Sequence, residues 1–172
     1  MPGLIHIYCG DGKGKTTAAV GLAVRAAGAG KKVVFTQFFK DGSSSEIKVL
    51  QGVENIQVMH SDTVRGFWKR MSDAQKARAS EDYTRLFSDV TRSAMDADLL
   101  ILDEIVSACN HGTLAETAVT DFLRQKPEKL EVVLTGRNPS EHLLRLADYV
   151  THMQKIKHPY DRGIAARKGI EF

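Results

Sequence analysis

The chain has 172 residues, 42% of them hydrophobic and 26% charged, with a formal net charge of +3. That length suits a single domain, residues 1–172, with a real core, and so weak a positive charge, without a dense Lys/Arg block, gives no case for nucleic acid. The two cysteines, Cys9 and Cys109, make no disulfide framework and no C-x-x-C zinc pair, and no apolar run reaches the ~18 residues of a membrane span. The N-terminal Met-Pro-Gly-Leu-Ile has no basic region ahead of an apolar one, so no export signal is expected, and two reduced thiols suit the cytoplasm.

Strand-like and helix-like segments alternate along the chain. Leu4–Cys9 reads as a buried strand that runs into a Gly-rich loop. The Ala-rich Thr16–Ala29 reads as a helix with a glycine stop. Lys32–Phe38 is β-branched and aromatic, a second strand, and Asp41–Ser45 is a loop by composition. Glu46–Gln51 reads as a short helix and Ile56–His60 as a third strand. Ser72-Asp-Ala-Gln75 matches a capping box. Behind it Tyr83, Leu86, Phe87, Val90 and Ala94 recur at helical spacing, to about Met95.

Leu99–Leu102 is a continuous apolar run, a buried strand that ends at Asp103-Glu104. Thr113-Leu-Ala-Glu116 matches a second capping box, opening a helix that stops before Pro127. Leu130–Leu134 is the fifth strand. Asn138-Pro-Ser-Glu141 offers an N-cap, then a proline at the first helical position, for a helix through Ala147. Tyr149–Met153 is a sixth strand, and the tail from Lys155 is basic and irregular.

The stretch "CGDGKGKTT", Cys9–Thr17, follows a strand and precedes a helix. A phosphate-binding loop works by aiming backbone N–H groups at anionic oxygens beside a positive helix end. Gly10, Gly12 and Gly14 supply the flexible backbone, Lys15 neutralises phosphate charge, and the Thr16 hydroxyl suits magnesium. Cys9 stands where the G-x-x-x-x-G-K-[ST] pattern has its first glycine. It is read as an apolar strand end, with a cysteine nucleophile as the competing reading. The segment "LLILDE" puts carboxylates at a buried strand end, where such a loop completes its magnesium shell; Asp103 and Glu104 both qualify. The implied architecture is α/β: a three-layer P-loop NTPase (RecA-like) fold, with a mostly parallel sheet of about six strands and helices on both faces.

With these parts in place, the chain resembles the P-loop type ATP:cob(I)alamin (corrinoid) adenosyltransferases. "GDGKGKTTAA" is similar to that family's G-N-G-K-G-K-T-T-A-A loop, which also lacks the first glycine. "TQFFK", "LLILDEI", "VVLTGRNP", "LADYVTHM" and "KIKHPYDRGIAARKGIEF" follow in the family's order. The resemblance implies that Co(I) of a reduced corrinoid attacks the 5′ carbon of ATP and releases triphosphate. The acceptor would be cob(I)alamin or a cobyrinic acid a,c-diamide-type corrinoid. It also implies Mg²⁺, an electron-donating reductase or flavoprotein, and a homodimer.

Carried over by motif, Lys15, Thr16 and Glu104 are the expected catalytic residues, and Thr16, Asp103 and Glu104 the expected metal set. ATP is expected on Gly10, Asp11, Gly12, Lys13, Gly14, Lys15, Thr16 and Thr17, with Arg25 and Arg137 near it, or else ordinary surface arginines. Lys40 and Glu46 flank a polar loop that would border the substrate pocket. Two departures stand out. Asp11 replaces the family's Asn, and its charge would repel triphosphate unless turned to a ribose hydroxyl or to solvent. Phe67 and Trp68, the expected corrinoid contacts, are adjacent where the family separates them by one residue. Longer members have an N-terminal extension over the active site; without such a cover the loops and a second subunit are expected to hold the corrinoid. The alternative reading is a P-loop ATPase, or a nucleotide-binding regulator without adenosyl transfer. The partitioning class of ATPases usually has a lysine near the start of the loop, whereas Lys13 sits just before Gly14.

Overall fold

A computed structural model of the chain describes residues 2–40, 44–61 and 71–171. Six strands form one sheet: β1 (Ile5–Cys9), β2 (Val33–Gln37), β3 (Ile56–His60), β4 (Leu99–Asp103), β5 (Glu131–Thr135) and β6 (Tyr149–His152). Their order is β3-β2-β4-β5-β1-β6, and every pairing is parallel. Between them run α1 (Lys15–Gly28), α2 (Ser45–Leu50), α3 (Asp73–Ser93), α4 (Ile105–Asn110), α5 (Glu116–Gln125) and α6 (Glu141–Leu146).

Side chains alternate across a strand, and here both faces are apolar because both are covered. On one face Ile5, Ile7, Val34, Leu100, Leu102 and Leu134 meet the buried sides of α3, α4, α5 and α6. On the other, Val33, Phe35, Leu99, Ile101 and Val133 meet α1 and α2. The alanines of α1 explain its close seat: Ala19 and Ala23 are fully buried, with no long side chain to hold the helix off the sheet. The α3 stripe read from the sequence is its core face, with Tyr83 and Val90 fully buried. Its capping box is present in both halves: Gln75 N–H donates to Ser72 Oγ at 3.3 Å, and Ser72 N–H donates to Gln75 Oε1 at 2.8 Å.

Two expected helix starts are displaced. Thr113 does not cap α5. It is buried, and its hydroxyl donates to the Ala108 carbonyl at 2.8 Å, closing the end of α4. The N-cap is Ala115, and Glu116 instead accepts the Ser140 hydroxyl at 2.6 Å. Asn138 does not cap α6 either. It adopts a left-handed φ of 51°. Ser140 is the cap, its Oγ accepting the Leu143 N–H at 3.2 Å, so Pro139 precedes the helix. Helix α4 escaped the sequence reading because its Ile105, Val106 and Ala108 merely prolong the apolar run of β4. Residues 41–43 of the expected Asp41–Ser45 loop lie outside the described residues; Ser44 is the N-cap of α2.

All six strands point the same way, so their C-terminal ends open on one edge. Ligands in open parallel sheets bind along that edge. Cys9, Gln37, Asp103 and Thr135 end β1, β2, β4 and β5 there.

Candidate active site

The loop after β1 is held by backbone contacts that exclude side chains. Gly10 and Gly14 have φ of 104° and 114°. A methyl group on Gly10 or Gly12 would meet the Met153 carbonyl oxygen at 2.4 or 2.6 Å. The Gly12 N–H donates to that same oxygen at 2.7 Å. These two glycines are thus required by the chain after β6 as well as by any phosphate. The N-cap of α1 is Gly14, which has no side chain to cap it, so the first-turn N–H groups suit an anion.

Lys15 begins α1 and is buried. Its ammonium donates to the carbonyls of Gly10 at 2.8 Å and Gly12 at 2.9 Å, which commits two of its three N–H groups. Burial pulls its pKa below the ordinary lysine range; the Glu104 charge opposes that shift and the Arg137 charge adds to it. Arg137, in the loop after β5, therefore stands within electrostatic reach of Lys15. Gly136 before it has φ 146°, and a methyl there would meet Val106 Cβ at 2.7 Å, so the loop packs directly on α4.

Asp103 ends β4 fully buried, and its two oxygens are well supplied with donors. Oδ1 accepts the hydroxyls of Thr135 at 2.6 Å and Thr16 at 2.9 Å. Oδ2 accepts the Gln37 amide at 3.1 Å and the Lys40 ammonium at 3.2 Å. A buried carboxylate needs such partners, since an unpaired charge in the interior is costly. Because the Thr16 proton is turned to Asp103, its lone pairs are left for a cation. Glu104 follows in a left-handed conformation, φ 61°, unfavourable for a residue with a side chain. Its N–H donates to Thr135 Oγ1 at 2.8 Å, and its Oε2 accepts the Ser107 hydroxyl at 2.6 Å.

A cleft of about 360 Å³ opens beside this cluster, lined by Thr16, Thr17, Lys40, Glu46 and, from the tail, Ile170 and Glu171. A cavity of about 390 Å³ at the opposite ends of β2 and β3, lined by Lys32 and Asn55, contains none of the loop residues. Among the described residues no three of His, Cys, Asp and Glu gather as a self-sufficient metal site. The donor set fits magnesium in another way: one hydroxyl and one or two carboxylates, completed by substrate phosphates.

A family model described as ATP:corrinoid adenosyltransferase BtuR/CobO/CobP matches residues 1–172. The chain belongs to this family. It is 35% identical to the corrinoid adenosyltransferase of Escherichia coli K12 over 99% of this chain and 86% of that one. It is 32% identical to the corrinoid adenosyltransferase of Pseudomonas aeruginosa over 99% of this chain and 84% of the relative. Among solved structures, a KaiC-like protein of Pyrococcus horikoshii shares the fold with a TM-score of 0.54 at 18% identity, covering 91% of this chain and 75% of its own. The ATPase domains of EssC from Geobacillus thermodenitrificans give a TM-score of 0.54 at 13% identity, covering 97% of this chain and 35% of theirs. The P-loop α/β architecture expected from the sequence is therefore present.

The remaining candidates of this corrinoid adenosyltransferase family chain fall in different places. Asp11 is exposed and turned to the tail: its Oδ1 accepts the Lys155 N–H at 3.0 Å, and that bond holds its carboxyl below the usual range. Lys13 reaches the tail too, 3.7 Å from Glu171. Cys9 is buried in the core, where desolvation pushes its thiol pKa up, the opposite of what a nucleophile needs. Arg25 sits in the last turn of α1, about 15 Å along the axis from Lys15 at 1.5 Å per residue, and its charge acts on Tyr8. Phe67 and Trp68 lie outside the described residues. Gln37 and Thr135 were not singled out from the sequence. Both lie in segments quoted for the resemblance, "TQFFK" and "VVLTGRNP", but their contact with Asp103 depends on the β2-β4-β5 strand order.

Proposed function

We propose that the loop from Gly10 to Thr17 holds the triphosphate of ATP while the 5′-deoxyadenosyl group passes to the Co(I) of a reduced corrinoid. The observation that carries this reading is the bond from Thr16 to Asp103, with the Lys15 ammonium buried beside it under the loop carbonyls. A cobalt–carbon bond forms at the 5′ carbon. The bond from that carbon to the α-phosphate oxygen breaks, and triphosphate leaves with the electron pair.

The charge that needs stabilising therefore lies on the triphosphate. Lys15 neutralises it directly, and the first N–H groups of α1 bind its oxygens. A magnesium ion entering with ATP would be held by Thr16 with Asp103 and Glu104, and it supplies further positive charge against the leaving group. Thr135 and Gln37 keep Asp103 oriented toward Thr16. Arg137 adds a positive charge near Lys15. The nucleophile carries no proton, and triphosphate departs as an anion, so neither a general base nor a general acid is required of the chain. Phe67 and Trp68 are assigned to the corrinoid on family resemblance alone.

The setting proposed with this reading is the cytoplasm, with an electron-donating reductase and a homodimer. Two free cysteines agree with a reducing compartment. Among the described residues, no helix is long and apolar enough to cross a membrane. Hydrolysis of ATP without a corrinoid, the alternative reading, is not favoured, because the family match runs through the whole chain.

The test is anaerobic. ATP, Mg²⁺ and chemically reduced cobalamin are supplied, and the corrinoid spectrum is followed with the phosphate product. Triphosphate released in step with adenosylcobalamin is expected. ADP and phosphate released without any need for corrinoid would overturn the reading.

A further inference from the structure

Lys40 holds an unusual position for a rim lysine. Its ammonium lies 3.2 Å from Asp103 Oδ2 and 3.6 Å from Glu46 Oε1, and its side chain is only 28% exposed. Gln37 spans the same two carboxylates: its Nε2 donates to Glu46 Oε1 and to Asp103 Oδ2, at 3.1 Å each. Those contacts fix the amide orientation, since the reverse would set its oxygen against two anions. Among the described residues no donor reaches the buried Gln37 Oε1, in a residue 1% exposed. A buried acceptor without a donor is uncommon and costs free energy while it lasts.

We propose that Lys40 is a tethered stand-in for the divalent cation. It balances the buried Asp103 charge before substrate arrives, and yields the place when a metal ion enters with triphosphate. Three features converge on this. Lys40 contacts the same carboxylate that orients Thr16. Glu46, already beside it, offers the ammonium a second partner toward the cleft. The spare Gln37 oxygen has room in the scheme too: water carried by a hydrated cation is the donor it lacks. Lys40 is on this account a positioning residue. It keeps the metal site closed to free cations and open to a cation that brings its own anionic ligand. A lone cation must pull the ammonium off Asp103 and leave it Glu46 alone, whereas a cation with triphosphate also brings the freed ammonium a further anion.

The inference rests on the reading of Asp103 and Thr16 as the cation-binding end, and the experiment separates the two. Mn²⁺ alone, without nucleotide or corrinoid, is titrated into the full chain and followed by electron paramagnetic resonance. Lys40→Met and Lys40→Gln are expected to bind Mn²⁺ on the order of tenfold more tightly than the parent, from the removed repulsion. Lys40→Arg, which keeps the charge, is expected to stay at the parent affinity. Adding Asp103→Asn to either neutral variant is expected to abolish the gain. Unchanged or weaker Mn²⁺ binding in both neutral variants would overturn the proposal for Lys40. A gain that survived Asp103→Asn would instead overturn the cation reading of Asp103. Thermal unfolding of each variant, read alongside, separates lost binding from lost fold.

Discussion

The Thr16 hydroxyl reaches the Asp103 carboxylate at 2.9 Å across 87 residues of chain. One residue starts α1 and the other ends β4, so the bond joins the phosphate loop to the acidic strand end. Groups that share one bond act as a unit. Thr16→Ala and Asp103→Asn should therefore weaken Mg²⁺-dependent ATP binding non-additively, with a coupling of roughly 0.5–3 kcal/mol in a double-mutant cycle. Strictly additive losses in calorimetric titrations would show that the two residues serve separate ends.

Among the described residues the Lys15 ammonium hydrogen-bonds to its own loop alone, so its removal should spare the fold and damage the chemistry. Lys15→Ala is expected to lower kcat by roughly 10²–10³-fold, the usual loss for one donor to a developing negative charge. Its thermal unfolding should stay close to the parent's. A fully active variant would contradict the loop assignment.

Gly12 is constrained from outside the phosphate site. A methyl there meets the Met153 carbonyl, so Gly12→Ala should destabilise the chain by about 1–3 kcal/mol, as overpacking does. Urea unfolding measures this directly. ATP affinity should fall as well, because the loop must move. Unchanged stability with weakened ATP binding would mean that Met153 gives way freely.

The sequence was most readable where local pattern and chemistry coincide. β1, the glycine loop and α1 appear within a residue of their expected limits, because strand, turn and helix signals follow one another without overlap. β3 appears at its expected limits, and the Ser72 box closes as its spacing implies. Local pattern misleads where a side chain has two possible partners. Thr113 has a capping neighbour in sequence, but the Ala108 carbonyl claims its hydroxyl. Thr135 and Gln37 look like ordinary strand residues until β5 and β2 are set on either side of β4. Asp11 seemed a hazard to an anionic ligand; only the folded tail shows a backbone N–H waiting for it.

The two thiols should be chemically quiet. Burial lifts the Cys109 pKa to about 12, and that of Cys9 in the same direction. A thiol is reactive as thiolate, so at pH 8 only about one Cys109 in 10⁴ is in the reactive form. Alkylation of the native chain by iodoacetamide, counted by mass spectrometry, should lag far behind free cysteine at both positions. Adenosyl transfer should survive the treatment. Rapid labelling of Cys9 with loss of activity would revive the nucleophile reading.

The Asp11 carboxyl accepts the Lys155 N–H of the tail, and its charge also reaches Lys15. Asp11→Asn should leave ATP affinity within about twofold, since an exposed charge already bonded to the tail N–H is screened by water and salt. Calorimetry at two salt concentrations is the measurement. A tenfold gain for the amide would mean that the charge does face the triphosphate.

The strand order also has a consequence for how the chain is built in time. β1 is made first, yet its two partners are β5 and β6, in the pairings Ile5 with Val132 and His6 with Tyr149. A nascent chain still short of residue 131 has the whole phosphate motif and neither flanking strand to hold it. β2 and β3, by contrast, find each other within a few dozen residues. Assembly should start on the β2–β3 side and finish on β1, so the chain would grip a nucleotide only once nearly all of it has emerged from the ribosome.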